Sequence, residues 1–234
     1  MRCYPRCVPS QPIEDYALIG DCHTAALVGL NGSIDWLCLP RFDSPACFAA
    51  LLGNEEHARW QVAPSVPVRR VRRRYWPGTL ILETEFETRE GVVRVIDCMP
   101  IANGRSDLLR MVVGVRGCVP MQMELVMRFD YGSIVPWVRR VEGGLLATAG
   151  PDALHLRTPV AFTGRQLRTR AEFEVSKGAR IPMHLAHRPS HLEAPKPQEP
   201  EQLLADTERY WHDWSKRCTY RGPHRADVLR SLLT

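Results

Sequence analysis

Three adjacent residues, Arg41, Phe42 and Asp43, are the strongest candidate for a functional site in this sequence. A guanidinium is a fork of hydrogen-bond donors and a carboxylate accepts such bonds, so the loop could face a polar substrate or lock a domain interface. The alternative is local, because Asp43 could pair with Arg41 itself or help Ser44 to cap a following helix. The residue types alone leave both interpretations open.

Two predicted elements hold this loop in place. The dipeptide Asn31-Gly32 is typical of a two-residue hairpin, and we expect a type I′ turn in which both residues have positive φ. A strand is predicted over residues 33–39, and it ends at Pro40, which has no N–H for a sheet ladder. Residues 45–52 then have the apolar spacing of a helix, with Ser44 as its N-cap.

No metal or cofactor is predicted from the remaining reactive residues. His184, His187 and His191 form a cluster in sequence, but side chains on an extended strand do not converge as they would on a helix. We therefore expect exposed histidines. Cys3 and Cys7 have no second pair nearby, and no glycine-rich phosphate loop joins a strand to a helix, so neither zinc nor a nucleotide is expected.

A basic run, residues 69–74, contains five arginines and precedes Tyr75 and Trp76. Arginines neutralise phosphates and aromatic rings stack on bases, so the run supports a nucleic-acid-binding module as an alternative function. The other interpretation is an edge strand whose charges prevent aggregation. A net charge of only +5 favours the edge strand, and we expect no nucleic-acid partner.

The residues between 12 and 187 mostly alternate between apolar and polar, as half-buried antiparallel strands do. Many short strands with short turns predict a mainly β protein, a large antiparallel β-sandwich over residues 12–187 after a disordered arm, residues 1–11. Residues 188–200 hold four prolines and predict a linker. An amphipathic helix is predicted from about residue 201 to 217, and a second begins near His224.

Membrane insertion is not predicted for this sequence. No apolar run approaches the roughly 18 to 20 residues that span a bilayer. The first 15 residues lack the apolar core of a secretory signal, so a cytoplasmic location is expected.

Several ordered blocks resemble the N-terminal part of bacterial glucoamylase-like and trehalase-like proteins of glycoside hydrolase family 15. The resemblance begins at residues 12–21 and the segment from Asn31 to Gly53, and it covers residues 12–234. The further blocks are residues 79–86, 93–100, 125–132, 136–137, 220–223 and 228–233. It implies a large antiparallel β-sandwich followed by an α/α barrel that performs the chemistry.

The resemblance also implies inverting hydrolysis of α-glucosides such as maltooligosaccharides or trehalose by two barrel glutamates. Those glutamates would lie beyond Thr234, where the last helix stops without a capping residue. Residues 201–234 are thus expected to be a linker helix and a truncated start of the barrel, and the chain to be inactive alone. Glucoamylase and trehalase specificity both stay open.

No catalytic residue is assigned in this chain. The carboxylates in the matching motifs are interpreted as turn caps and solvated strand faces; they are Asp35, Asp43, Asp97 and Asp130. The substrate would be reached only through the barrel, supplied in cis or by a separately encoded chain. Four helix residues are predicted to dock on it, and if unpartnered they would promote self-association. They are Trp211, Trp214, Leu229 and Leu232.

Overall fold

The computed structural model describes residues 11–102, 105–193 and 196–234, so the predicted arm lies outside it except for Gln11. The described residues form sixteen strands, all paired antiparallel. The strands are β1 (Tyr16–Gly20), β2 (Ala25–Gly29), β3 (Ser33–Cys38), β4 (Ala46–Phe48), β5 (Arg59–Pro64), β6 (Val68–Tyr75), β7 (Leu82–Thr88), β8 (Gly91–Cys98), β9 (Ile101–Ala102), β10 (Arg105–Val126), β11 (Trp137–Val141), β12 (Gly144–Ala149), β13 (Asp152–Arg157), β14 (Thr163–Arg165), β15 (Arg168–Ser176) and β16 (Arg180–Pro189).

The long strand β10 joins two layers. Its first half pairs with β8 and β16, and its second half pairs with β5 and β15. The first layer therefore contains β1 to β5, β14 and β15, and the second contains β6 to β8, β11 to β13 and β16. Buried residues of both layers form one core, for example Trp60 and Met121 against Val95 and Leu154. The predicted mainly β fold is confirmed.

A buried ion pair connects the two layers. The guanidinium of Arg110 donates from Nε to Asp97 Oδ1 (2.8 Å) and from Nη2 to Asp97 Oδ2 (3.2 Å). It also donates to the backbone oxygens of Trp60 (2.6 Å) and Gly32 (2.8 Å), which belong to the first layer. Arg110 and Asp97 are both fully buried. Asp97 is thus a core residue, which corrects its interpretation as a turn cap or solvated strand residue.

The turn before β3 is a hairpin, as predicted, but not of type I′. Only Gly32 has positive φ (76°), and its N–H donates to Gly29 O at 3.0 Å. This bond closes the turn one residue earlier than expected, and the Asn31 side chain accepts from the Ser33 N–H at 3.0 Å. A Cβ on Gly32 would lie 2.3 Å from Val62 O, so this position needs glycine for space as well as for φ.

The prediction of a helix after Ser44 is wrong. Residues Ala46–Phe48 form β4, which pairs with β3 through Leu37 opposite Phe48, and only a 3₁₀ turn, Ala50–Leu52, follows. All three residues of β4 are buried. Pairing with a neighbouring strand satisfies their backbone groups and buries their side chains, and this outweighs the local helical spacing.

Two helices follow the strands, α1 (Pro200–Ser215) and α2 (Arg225–Leu233), close to their predicted bounds. They pack on the outer face of the second layer, where Leu203, Leu204 and Trp211 meet Ile96 and Leu109 in a second apolar cluster. In the part of the chain that the structure describes, no helix is both long and apolar enough to cross a membrane.

Candidate partner-facing site

The predicted site loop pairs internally. Arg41 Nε donates to Asp43 Oδ1 at 2.8 Å and Arg41 Nη2 to Asp43 Oδ2 at 3.2 Å, while both side chains stay 72% exposed. These hydrogen bonds lower the pKa of the Asp43 carboxyl and raise that of the Arg41 guanidinium. Ser44 Oγ accepts from the Arg41 N–H at 3.2 Å and caps no helix. The structure therefore contains the local pair of Arg41 with Asp43 that the sequence offered as the second interpretation.

The backbone of the loop is held against the turn between β1 and β2. The Phe42 N–H donates to His23 O at 3.0 Å, and Asp21 Oδ1 accepts from the N–H groups of His23 and Thr24. Phe42 itself is 66% exposed. It lines a depression of about 360 Å³ whose other walls include Trp211 of α1 and the last turn of α2. The loop thus lies beside Leu233 and Thr234 at the end of α2.

A second exposed segment, which sequence reasoning missed, runs from Tyr131 to Val138. The Tyr131 N–H donates to Ala46 O of β4 at 3.0 Å, and its ring lies 6.2 Å from that of Trp36. The segment exposes an unusual run of large apolar side chains, namely Tyr131, Ile134, Val135, Trp137 and Val138. Trp137 is 80% exposed. We call this segment the Tyr131–Val138 strip.

The strip borders a cleft of about 440 Å³ with apolar and cationic walls. The guanidinium of Arg128, a buried residue, donates to the backbone oxygens of Met127 (2.7 Å) and Leu167 (3.3 Å). Arg140 lies over the Phe162 ring, 5.2 Å from its centroid. Among the described residues that line the cleft, none is Asp or Glu. The cleft therefore has no carboxylate for general acid or base chemistry.

The carboxylates named from the motifs are engaged in structural bonds. Asp35 is buried, not solvated, and it accepts from Tyr16 Oη at 2.7 Å and from Ser33 Oγ. Asp130 accepts from Ser133 Oγ at 2.9 Å in a tight turn, as expected of a turn residue. With Asp97 bound to Arg110 and Asp43 to Arg41, each of the four has a partner that holds it.

Most of the chain matches the model of a known protein family. The family model described as "Trehalase-like, N-terminal" matches residues 6–211. The chain belongs to this trehalase-like N-terminal family.

Two trehalases and one solved structure extend the comparison. The chain is 30% identical to a trehalase of Mycobacterium tuberculosis, over 97% of this chain and 37% of that protein. It is 31% identical to a trehalase of Mycolicibacterium smegmatis, over 97% and 38% respectively. A bacterial glucoamylase crystallised with acarbose has the same fold, with a TM-score of 0.60 at 11% identity, over 90% of this chain and 39% of that one. The chain thus spans less than two fifths of these relatives.

The helix residues predicted to dock on a barrel are mostly used within the trehalase-like N-terminal domain itself. Trp211 is 3% exposed, and Trp214 and Leu229 pack beside it on the outer face of the second layer. Arg230 anchors α2 by lying 3.8 Å over the Tyr75 ring. Of the four predicted docking residues, Leu232 is the one that stays largely exposed, at 53%. The helical periodicity predicts an apolar face of the helices, but it does not show that this face packs on the second layer.

The arginine run of the domain forms β6, which pairs with β7 alone among the described strands. Arg74 lies 2.8 Å from Glu83, and Arg72 lies 3.6 Å from Glu85. Arg73 turns inward and donates to Asp15 O at 2.5 Å. The strand therefore has the edge position that the second interpretation requires, and three of its charges have partners on neighbouring segments.

The histidines were expected to be exposed, and for two of them this is wrong. His184 and His187 are buried and lie on opposite faces of β16, so they do not converge. His184 Nε2 is 3.0 Å from Asp107 Oδ2, and His187 Nε2 is 2.9 Å from Asp152 Oδ1. A carboxylate partner makes burial of each ring possible, and spacing within one strand cannot show such a partner.

Proposed function

We propose that this chain is the non-catalytic N-terminal β-sandwich unit of a trehalase-like glycoside hydrolase. In the whole protein, hydrolysis of an α-linked glucoside, trehalose or a maltooligosaccharide, would be performed by a catalytic α/α barrel, in cis or as a separate chain. The observation that carries the proposal is the family match over residues 6–211. The two trehalases, of which the chain spans 37% and 38%, leave ample length for such a barrel.

The state of the carboxylates supports a non-catalytic role. Inverting hydrolysis needs one carboxylic acid and one carboxylate on opposite sides of a bound sugar, about 6.5 to 9.5 Å apart. Burial favours a higher pKa for Glu124, but hydrogen bonds from Arg59 and Arg170 and the charges of Arg59 and Arg168 outweigh it and lower the pKa. A hydrogen bond from Arg180, together with its charge, also lowers the pKa of Glu201. These groups are held as anions and are poorly suited to donate a proton.

We propose that the barrel contacts the Arg41–Asp43 loop and the Tyr131–Val138 strip. Exposed aromatic side chains are costly to leave in water, and contiguous apolar surface of this kind marks interaction sites. Phe42 and Trp137 supply such side chains, and the loop lies beside the last turn of α2. Leu232 would extend the contact from the helix side.

We also propose a cytoplasmic location for this unit. The six described cysteines are all free, and four of them are buried. Free thiols are typical of a reducing compartment, where disulfides do not persist.

The first test uses the purified chain with trehalose and with maltooligosaccharides, and measures released glucose. No release above a heat-treated blank is expected, and robust turnover would overturn the non-catalytic assignment. A chimera in which this chain replaces the matched part of the M. smegmatis trehalase tests the scaffold role. The chimera should hydrolyse trehalose, whereas a folded but inactive chimera would contradict an equivalent role.

A further inference from the structure

A hollow on the outer face of the second layer has the chemistry of a binding site. It has a volume of about 580 Å³, and its walls include Arg139, Leu146, His155 and Arg188. His155 alternates with the core residues Leu154 and Leu156 on β13, so it points away from the sandwich core. The hollow therefore lies on the same face as the two helices and is separate from the cleft beside the Tyr131–Val138 strip.

Two side chains in this hollow keep buried polar atoms without a partner. His155 is 5% exposed, and neither Nδ1 nor Nε2 has a hydrogen bond among the described residues. Nε and Nη1 of Arg188 are likewise buried and unbonded within the described chain. More than 90% of such buried groups are normally bonded, and an unbonded one destabilises the folded chain. Three of these four atoms can carry an N–H group at once, and donors gathered in one hollow indicate a ligand that accepts from them.

Strand register places the two side chains together. His155 lies opposite Ala186 in the pairing of β13 with β16, and Arg188 is two residues further along β16 on the same face. Such diagonal neighbours are about 7–8 Å apart at the backbone, within reach of one small group for long side chains. Their free N–H groups can therefore point at the same ligand.

The charged residues that line the hollow are two arginines and two glutamates, and of these four only Arg188 is not exposed. Arg188 and Arg139 line it, and Arg157 and His184 lie close enough to His155 to act on its charge. Burial first, and then the neighbouring Arg157, Arg188 and His184, lower the pKa of His155 to about 4, so that its neutral ring offers one donor near pH 7. The facing acids are Glu142 and Glu193 at the exposed rim, while Asp107 is bound to His184.

We propose that this hollow binds an oxyanion, a phosphate or carboxylate group, through the free N–H groups of Arg188 and the N–H of His155. Cationic donors with several N–H groups match such oxygens in charge and geometry. Leu146 and Val141 provide an apolar wall beside these donors, so the ligand can carry an apolar or ring-shaped body. A volume of this size lies within the usual range of small-molecule sites.

The test titrates the full chain with inorganic phosphate and, separately, with acetate at constant ionic strength set by sodium chloride. Binding is measured by calorimetry and by the NMR signals of the histidine rings. Saturable binding with a shift of the His155 signal is expected for at least one anion. Phosphate alone, acetate alone or both would define the class of oxyanion, and no saturable binding of either would overturn the proposal.

Variants assign the binding to the proposed atoms. Arg188→Gln should raise Kd at least tenfold, and Arg165→Gln, an exposed arginine on β14 outside the hollow, should leave Kd unchanged. Equal Kd for the wild type and Arg188→Gln would overturn the assignment. Should Arg188→Gln fail to fold, the His155 ring signal of the wild-type chain decides, because binding elsewhere would leave that signal unmoved.

Discussion

Replacing Asp97 by asparagine tests whether the buried ion pair holds the two layers together. The side chain of Arg110 is 0% exposed, and the carboxylate of Asp97 is its only ionic partner among the described residues. Asp97→Asn removes the negative charge and leaves the guanidinium buried without compensation. Loss of one partner from a buried pair costs about 3–5 kcal/mol. Since domains of this size are stable by only about 5–15 kcal/mol, this is a large share of the free energy of unfolding.

Arg110→Met should be more damaging than Asp97→Asn. It leaves the Asp97 carboxylate unpaired, and it also removes the donors to Trp60 O and Gly32 O. Each hydrogen bond lost from the charged guanidinium adds about 1.5–3 kcal/mol to the loss, although Gly32 O keeps the Val62 N–H as a donor at 3.1 Å. Combining Arg110→Met with Asp97→Leu removes both charges, so the double variant should be more stable than Arg110→Met alone.

Urea unfolding, followed by tryptophan fluorescence, gives the free energy of unfolding. Trp60 reports on the surroundings of the ion pair, because the Arg110 guanidinium lies 5.3 Å from its ring centroid. The control is Asp206→Asn, which breaks an exposed pair with Arg209 and should change stability by less than about 1 kcal/mol. The reasoning is refuted if Asp97→Asn behaves like this control. It is also refuted if the double variant is no more stable than Arg110→Met alone, because then the unpaired Asp97 charge carries no cost.

Three further predictions concern the loop, the helices and the buried histidine. Arg41→Ala should leave the Tm unchanged, because the ion pair of Arg41 with Asp43 is exposed. In the chimera the same change should lower kcat/KM. An unchanged kcat/KM would show that the loop does not take part in the contact with the barrel. Trp211→Ala should lower the free energy of unfolding by about 3–5 kcal/mol, and limited proteolysis should then cut first near α1; uniform resistance would argue against this docking. The pKa of His155 is about 4 in the folded chain and about 6.5 when the chain is unfolded. Because the unfolded state takes up the proton first, about 3 kcal/mol of stability is lost as the pH falls from 6.5 to 4. His155→Leu should remove that part of the pH dependence when unfolding is measured in buffers without oxyanions, and an identical pH profile would show that His155 does not contribute.

The local pattern of the sequence was sufficient for most of the architecture. Alternation predicts β7, β8 and the second half of β10, because each of these strands has one face on the core and one that is more polar or more exposed. The same reasoning finds α1 and α2, whose apolar residues recur at helical spacing. The charged run of β6 is also recognisable, since a strand with so many arginines tolerates only an edge.

The sequence by itself determined which residues are apolar, where most strands and helices run, and which family the chain resembles. Only the tertiary structure decided that Ala46–Phe48 is a strand, that Trp211 lies on the sheet of its own chain, and that Arg110 bonds Asp97. It likewise placed His155 beside Arg188, 33 positions later in the chain, through the register of two paired strands. Periodicity records how each residue interacts with water, whereas partners and register depend on contacts between segments far apart in sequence, and those contacts form only when the layers pack.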